Sequence, residues 1–165
     1  MKNWKLLFLF VLLLSNIGCI KESNFPNTPV LTFKEYKLFG SDSLKITFEF
    51  TDGDGNLGLE PSDTSAPYNP AAFAYNNLFL YYQSMNEDSS FSYRLVSKPN
   101  NEIDTSKVRY RFKNITPVGQ RKVLEGEIST TLIAPFKFDD NYRYEIFMLD
   151  RSLNKSNLVS TPLIK

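Results

Sequence analysis

The sequence predicts an all-β domain, and three features from residue 30 onward support this prediction. Apolar and polar side chains alternate with a period of two, no segment carries the 3.6-residue period of an amphipathic helix, and turn-forming residues recur at regular spacing. The clearest example is the segment 43–51, where Leu44, Ile46, Phe48 and Phe50 alternate with polar residues. Such alternation is typical of strands that turn one face to a core.

Eight segments fit this pattern, which predicts seven or eight antiparallel strands. They are residues 30–39, 43–51, 77–85, 91–96, 108–112, 123–133, 142–149 and 157–164. The third is apolar on both faces, as expected of a central strand, and Pro162 in the last favours an edge position because proline lacks an N–H donor. This pattern is typical of a Greek-key β-sandwich of immunoglobulin-like or fibronectin-III-like type, with a small antiparallel barrel as the alternative.

Residues 1–18 have the features of a secretory signal peptide. Two lysines precede nine consecutive apolar residues, a run shorter than the ~20 residues that a membrane-spanning helix needs. Gly18 then precedes Cys19, the one cysteine of the chain, in a pattern that resembles a bacterial lipobox, although Asn16 stands where leucine is usual. We therefore predict a lipoprotein signal peptide over 1–18 and lipidation of Cys19, with simple secretion as the alternative.

The remaining chain divides into a tether and one domain. Residues 19–29 begin with the lipidated cysteine and are rich in proline, asparagine and charged side chains, which predicts a flexible tether. Residues 30–165 have the length of one β-sandwich domain with its own core. The predicted location is the bacterial cell envelope, with the lipid held in a membrane, and we expect that membrane to be the outer one.

Composition excludes several classes of function. The chain has 19 Lys and Arg against 18 Asp and Glu, and it has no histidine. The lack of histidine removes His-based catalytic triads and His-ligated metal sites, and a net charge near zero argues against nucleic acid as a partner. We predict a protein that is not an enzyme.

An acidic loop follows the second predicted strand and offers the one candidate metal site. Asp52, Asp54 and Asn56 alternate with glycines, and Asp63 follows at the twelfth position counted from Asp52. Hard oxygen donors at this spacing suit Ca²⁺, which takes six to eight oxygen ligands. The position of Gly58 and the lack of flanking helices exclude an EF-hand. The alternative is a structural turn in which aspartates cap their own backbone.

A second turn with oxygen-bearing side chains is expected at the same end of the predicted sandwich. It connects the last two strands and contains Asp150 and Asn154, and in this fold the loops after the second and seventh strands emerge together. Neutralisation of the loop by Arg151 or Lys155 is the alternative to a metal. The predicted metal ligands are Asp52, Asp54, Asn56, Asp63, Asp150 and Asn154, with Ca²⁺ as the one candidate cofactor.

Several motifs resemble an uncharacterised lipoprotein family of the Bacteroidota. They are FTDGDGNLGLE at 50–60, NLF at 77–79, TPVGQ at 116–120, LEGEI at 124–128 and DRSLNKSN at 150–157. The resemblance implies a cell-envelope lipoprotein with an immunoglobulin-like domain and implies no activity. Such families have aspartate where this chain has Asn56, which removes one charge from any ion site.

These predictions lead to two hypotheses about function. The first is a lipid-anchored binding or structural module whose partner is an unknown envelope protein or glycan. The alternative is a carbohydrate-binding or carbohydrate-active accessory lipoprotein. Its candidate aromatic residues are Tyr68, Phe73 and Tyr75, and its candidate carboxylates are Glu125 and Glu127.

Overall fold

The computed structural model describes residues 24–119, 122–133 and 139–165, so the predicted signal peptide and Cys19 lie outside the described residues. The prediction of an all-β fold with antiparallel sheets is confirmed, and the one helical element described is a 3-10 turn at Phe73–Tyr75. The strands are β1 (Val30–Phe39), β2 (Ser43–Asp52), β3 (Leu78–Met85), β4 (Phe91–Tyr93), β5 (Leu95–Ser97), β6 (Ile103–Thr105), β7 (Lys107–Tyr110), β8 (Leu124–Ile133), β9 (Tyr142–Met148) and β10 (Val159–Ser160).

Two antiparallel sheets form the body of the domain. The first sheet has the order β1-β2-β8, and the second has the order β10-β9-β3-β4, with β7 also paired to β3. Strands β5 and β6 form a separate hairpin. Each sheet has an apolar face. The two apolar faces pack on each other and form a β-sandwich.

The main core lies between the two sheets. Phe48 of β2 and Tyr82 of β3 are almost completely buried there, together with Tyr144 and Ile146 of β9. The predicted alternation in β2 is confirmed, since Leu44, Ile46, Phe48 and Phe50 are all buried. Burial of side chains of this size contributes about 1.5–3 kcal/mol each to folding.

A second, smaller apolar cluster lies on the outer face of the second sheet. It contains Phe79 of β3 and Phe147 of β9, and Ala74 and Tyr68 pack on it from the loop that joins β2 to β3. These contacts explain why β3 is apolar on both faces, because its outward side chains also pack against apolar residues.

Two of the predicted strands differ most from the structure. The segment 91–96 is interrupted at Arg94, whose N–H donates to the Tyr82 carbonyl, and the chain then pairs β5 with β6. The segment 157–164 keeps only Val159–Ser160 as a strand. Pro162 follows closely and has no N–H to donate, which interrupts the ladder before Ile164 pairs with Tyr142.

Among the described residues, no helix has the length and apolar character needed to cross a membrane.

Candidate metal centre

The acidic loop begins at Asp52, the last residue of β2, and its course depends on glycines packed against other backbone segments. The Gly53 N–H donates to the Pro26 carbonyl at 2.8 Å, so the end of the predicted tether contacts this loop. Gly55 has φ +62°, and a Cβ atom there would lie 1.5 Å from the carbonyl oxygen of Lys122. Since any larger residue would displace these neighbours, the glycines are required by close packing as well as by the turn.

Two buried leucines anchor the rest of the loop. Leu57 and Leu59 are 0% and 3% exposed, and Leu57 belongs to the main core. The backbone of this segment bonds to the chain after β7: the Leu59 N–H donates to the Phe112 carbonyl at 3.1 Å, and the Ile115 N–H donates to the Leu57 carbonyl at 3.2 Å. The loop is therefore a packed element of the fold, which holds its polar side chains in defined positions.

Hydrogen bonds from Asn56 to Asp52 and Asp54 hold the acidic loop in its conformation. One Asp52 oxygen, Oδ2, accepts from the Asn56 N–H at 3.0 Å, and Oδ2 of Asp54 accepts from the Asn56 amide Nδ2 at 2.9 Å. The same Nδ2 donates to the Ser152 hydroxyl at 3.0 Å. These bonds orient all three side chains without any bound ion.

The second carboxylate oxygen of each aspartate and the amide oxygen of Asn56 are buried and have no hydrogen-bond partner. These atoms are Oδ1 of Asp52, Oδ1 of Asp54 and Oδ1 of Asn56. A buried polar atom without a partner costs about 1–3 kcal/mol, and more when it carries charge. Three such oxygens on alternate residues of one loop form a donor set that suits a hard cation such as Ca²⁺.

The electrostatics of the loop also favour a positive ligand. Burial raises the pKa of Asp52 to about 7, and the charge of Asp54, the hydrogen bond that a protonated Asp52 would donate to Asp54 and the charge of Asp150 act in the same direction. The Asn56 N–H opposes this shift. None of the ion pairs among the described residues involves Asp52 or Asp54.

The turn between β9 and β10 lies beside the acidic loop, as the sequence analysis expects. The Arg151 N–H donates to the Asn56 carbonyl at 3.2 Å, and Ser152 accepts from the Asn56 side chain. Asp150, however, accepts from the backbone and side chain of Asn154, both at 2.8 Å. Both carboxylate oxygens of Asp150 are thus paired with Asn154. The effect of Asp150 on the acidic loop is through its charge, which raises the pKa of Asp52.

The remaining predicted ligand, Asp63, is engaged elsewhere. Its Oδ2 accepts from the Glu60 N–H at 2.8 Å, and its carbonyl accepts from the Arg111 guanidinium at 2.7 Å. The described residues contain no group of three or more His, Cys, Asp or Glu side chains placed to hold a metal. The candidate centre therefore consists of two carboxylates and the Asn56 amide oxygen.

The two residues proposed to neutralise the loop have other contacts. The Arg151 guanidinium donates to the Thr116 hydroxyl at 2.6 Å, and the Lys155 ammonium lies 4.1 Å from the centre of the Phe147 ring. Among the described residues, the two loop carboxylates are thus left without a cationic side chain.

The candidate residues of the carbohydrate hypothesis differ in whether they have partners within the fold. The Tyr68 hydroxyl donates to the Arg151 carbonyl, and Tyr75 lies under the Arg111 guanidinium, 4.7 Å from the ring centre. Both tyrosines have partners within the fold, whereas Phe73 is 51% exposed. Glu127 pairs with Lys34 on the exposed face of the first sheet.

Comparison of the chain with known protein families, curated proteins and solved structures finds no match.

Proposed function

We propose that this chain is a lipid-anchored cell-envelope protein, without enzymatic activity, whose β-sandwich is a binding module ordered at one end by Ca²⁺. The observation that carries the metal part of this proposal is the set of three buried, unpartnered oxygens on Asp52, Asp54 and Asn56. The lipid anchor at Cys19 and the envelope location are supported by the sequence pattern of residues 1–19.

The strand order supports an immunoglobulin-like arrangement of the sandwich. The order β1-β2-β8 in one sheet and β10-β9-β3-β4 in the other corresponds to strands A, B and E facing strands G, F, C and an added edge strand. In this arrangement the loops at one end commonly carry recognition, because the sheets hold them rigidly. The acidic loop and the β9–β10 turn lie together at such an end.

Bound Ca²⁺ would act in this proposal as a structural ligand of the loop. The cation would accept donation from the three free oxygens and remove the repulsion between the carboxylates of Asp52 and Asp54. Because those side chains are already oriented by Asn56 and Ser152, little ordering is required when the ion binds. Such preorganisation favours affinity.

Thermal unfolding of the full chain in Ca²⁺ and in EDTA tests the metal site. At a Ca²⁺ concentration of about 100 times the Kd, binding stabilises the folded state by about 2.7 kcal/mol, which raises the Tm by roughly 5–10 °C. Asp54→Asn keeps the shape of the side chain and removes one charge, so we expect it to abolish the shift. In EDTA the same variant should be at least as stable as the wild type, because a repulsion between carboxylates is removed.

Asp63→Asn is the matched control, since it changes an aspartate of the same loop region that bonds to Glu60. We expect this variant to keep the Ca²⁺-dependent shift. A wild type whose Tm is the same in Ca²⁺ and EDTA contradicts the metal site and favours the structural turn.

Metabolic labelling with a lipid precursor tests the anchor. The wild type should incorporate the label and Cys19→Ser should not. An unlabelled wild type contradicts the lipoprotein assignment and favours simple secretion.

A further inference from the structure

The outer face of the second sheet carries an aromatic groove with a volume of about 320 Å³, whose lining includes none of the acidic-loop residues that carry the unpartnered oxygens. Its lining includes Phe73, Tyr81, Tyr93, Glu145, Phe147 and Lys155. This volume lies at the lower end of the range for small-molecule sites in proteins. The aromatic groove is defined here by these six residues.

The rings of the aromatic groove support one another. Phe147 stacks on Phe79 at 4.8 Å and on Tyr81 at 5.9 Å between ring centres, and Phe73 stacks on Phe79 at 4.5 Å. Tyr81 also meets the edge of Tyr93 at 5.9 Å. Because Tyr81, Phe147 and Phe79 lie on paired strands of one sheet, this surface is preorganised.

Two charged side chains, Glu145 and Lys155, also line the aromatic groove. Glu145 accepts a hydrogen bond from the Tyr93 hydroxyl, and the Lys155 ammonium lies over Phe147 at 4.1 Å. No ion pair of the described residues includes either side chain. The aromatic groove therefore offers one acceptor group, one donor group and no net charge.

We propose that the aromatic groove binds a segment of a neutral polysaccharide. A sugar ring has apolar C–H faces that pack on aromatic rings and hydroxyl groups that both donate and accept hydrogen bonds. Glu145 would accept from hydroxyls and Lys155 would donate to them, while Phe73 and Tyr81 would contact the apolar face. Phe73 is 51% exposed, so its ring is open to a ligand.

Other ligand classes fit this chemistry less well. A hydrocarbon chain would desolvate Glu145 and Lys155 without offering either of them a hydrogen bond, which is costly. An acidic polymer would gain from Lys155 but would be repelled by Glu145. The balance of one positive and one negative group thus favours a neutral, hydroxyl-rich ligand.

This inference rests on the proposed role of the domain as a binding module but not on the metal site. The contacts invoked lie on β3, β4, β9 and the loops that border them, whereas the metal site depends on Asp52, Asp54 and Asn56. The two sites have one connection, because Leu149 and Lys155 of the groove flank the β9–β10 turn that contacts Asn56. We therefore expect that removal of Ca²⁺ by EDTA weakens sugar binding only slightly, by no more than severalfold.

Isothermal titration of the full chain in detergent with neutral hexasaccharides of glucose, mannose and xylose tests the proposal. We expect at least one of them to bind. Phe73→Ala and Glu145→Gln should each weaken that binding about tenfold, as the loss of a ring contact or of a hydrogen bond to a charged group predicts. Phe39→Ala is the matched control for Phe73, since Phe39 is 55% exposed, and Glu35→Gln on β1 of the first sheet is the control for Glu145.

Three outcomes overturn the proposal. They are a wild type that binds none of the neutral hexasaccharides, binding that survives both groove substitutions unchanged, and a preference for hexagalacturonate over every neutral probe. Repeating the titration in Ca²⁺ and in EDTA separates the two proposals. Sugar binding with no Ca²⁺-dependent stability contradicts the metal site alone, and a Ca²⁺ response without sugar binding contradicts the groove alone.

Discussion

Two turns that contain aspartate and asparagine lie side by side at one end of this sandwich, and they differ in how many of their side-chain oxygens accept hydrogen bonds. In the β9–β10 turn both carboxylate oxygens of Asp150 accept hydrogen bonds from Asn154. In the acidic loop Asp52, Asp54 and Asn56 each keep one buried oxygen without a partner. The same residue types therefore form a self-sufficient structural turn in one place and leave three buried oxygens without donors in the other.

This difference gives a criterion that distinguishes an aspartate that caps a turn from an aspartate that could bind a metal. The spacing of acidic residues does not distinguish them, because Asp150 and Asn154 were as plausible as ligands as Asp54 and Asn56. What distinguishes them is whether the fold supplies a donor to every buried oxygen. We therefore expect substitutions in the two turns to respond differently to Ca²⁺.

The largest expected effect comes from breaking the backbone of the acidic loop. Gly55→Ala combines a left-handed φ of +62° with a contact of 1.5 Å to the Lys122 carbonyl, so we expect a loss of about 3 kcal/mol or more in the free energy of unfolding measured in urea. Gly40→Ala is the matched control, since Gly40 has φ +61° and no atom within 4 Å of the added Cβ. It should cost only about 1 kcal/mol, and equal losses in both variants would contradict the packing argument.

Removing the capping carboxylate should be the next largest effect. Asp150→Ala leaves the Asn154 backbone and side-chain donors without their acceptor in a turn where Asp150 is 2% exposed. We expect a loss of about 2–3 kcal/mol in urea unfolding, of similar size in Ca²⁺ and in EDTA. A variant that also loses the whole Ca²⁺-dependent stabilisation would show instead that Asp150 is a ligand.

Replacing the Asn56 amide, a proposed ligand, with a carboxylate should increase the difference in Ca²⁺ response between the two turns. Asn56→Asp adds a third charge and removes the Nδ2 donations to Asp54 and Ser152, so we expect a loss of about 1–2 kcal/mol in EDTA. With Ca²⁺ the added charge should raise affinity roughly tenfold, because ligand charge tunes calcium sites. Calorimetric titration measures both changes, and weaker Ca²⁺ binding by this variant would contradict the coordination by position 56.

The smallest effect concerns an aspartate that has cationic partners. Hydrogen bonds from Lys107 and Lys98 hold the pKa of Asp104 below its usual range, so its folded-state pKa is lower than its unfolded one. Its stabilisation is present above the unfolded pKa of about 4 and is lost as the pH falls through the acidic range. The pair is partly exposed, and we expect less than about 1 kcal/mol, measured as a shallower loss of Tm between about pH 5 and 2 in Asp104→Asn.

Much of this structure could be predicted from local sequence. The bounds of β1 were predicted as observed, and the alternation in β2 placed its core side chains correctly. Asp52, Asp54 and Asn56 could be grouped because alternate residues of one glycine-rich loop lie near each other whatever the tertiary fold.

The rest depends on contacts between residues distant in sequence. The Arg111 guanidinium donates to the Asp63 carbonyl, and Pro26 and Lys122 approach the loop glycines from outside the loop. Of the aromatic groove, local sequence indicates Phe73 but not its partners, because the outward residues Tyr81 and Glu145 lie on different strands and pair only in the sheet. The apolar character of both faces of 77–85 is a further signal for the groove, but it also fits burial in a central strand.

Equilibrium dialysis of the full chain against radioactive Ca²⁺ tests the central claim most directly. The account predicts about one bound Ca²⁺ per wild-type chain, one in Asp63→Asn, and none in Asp54→Asn under the same conditions. A wild type that retains no Ca²⁺, or an Asp54→Asn variant that binds as much as the wild type, would contradict it.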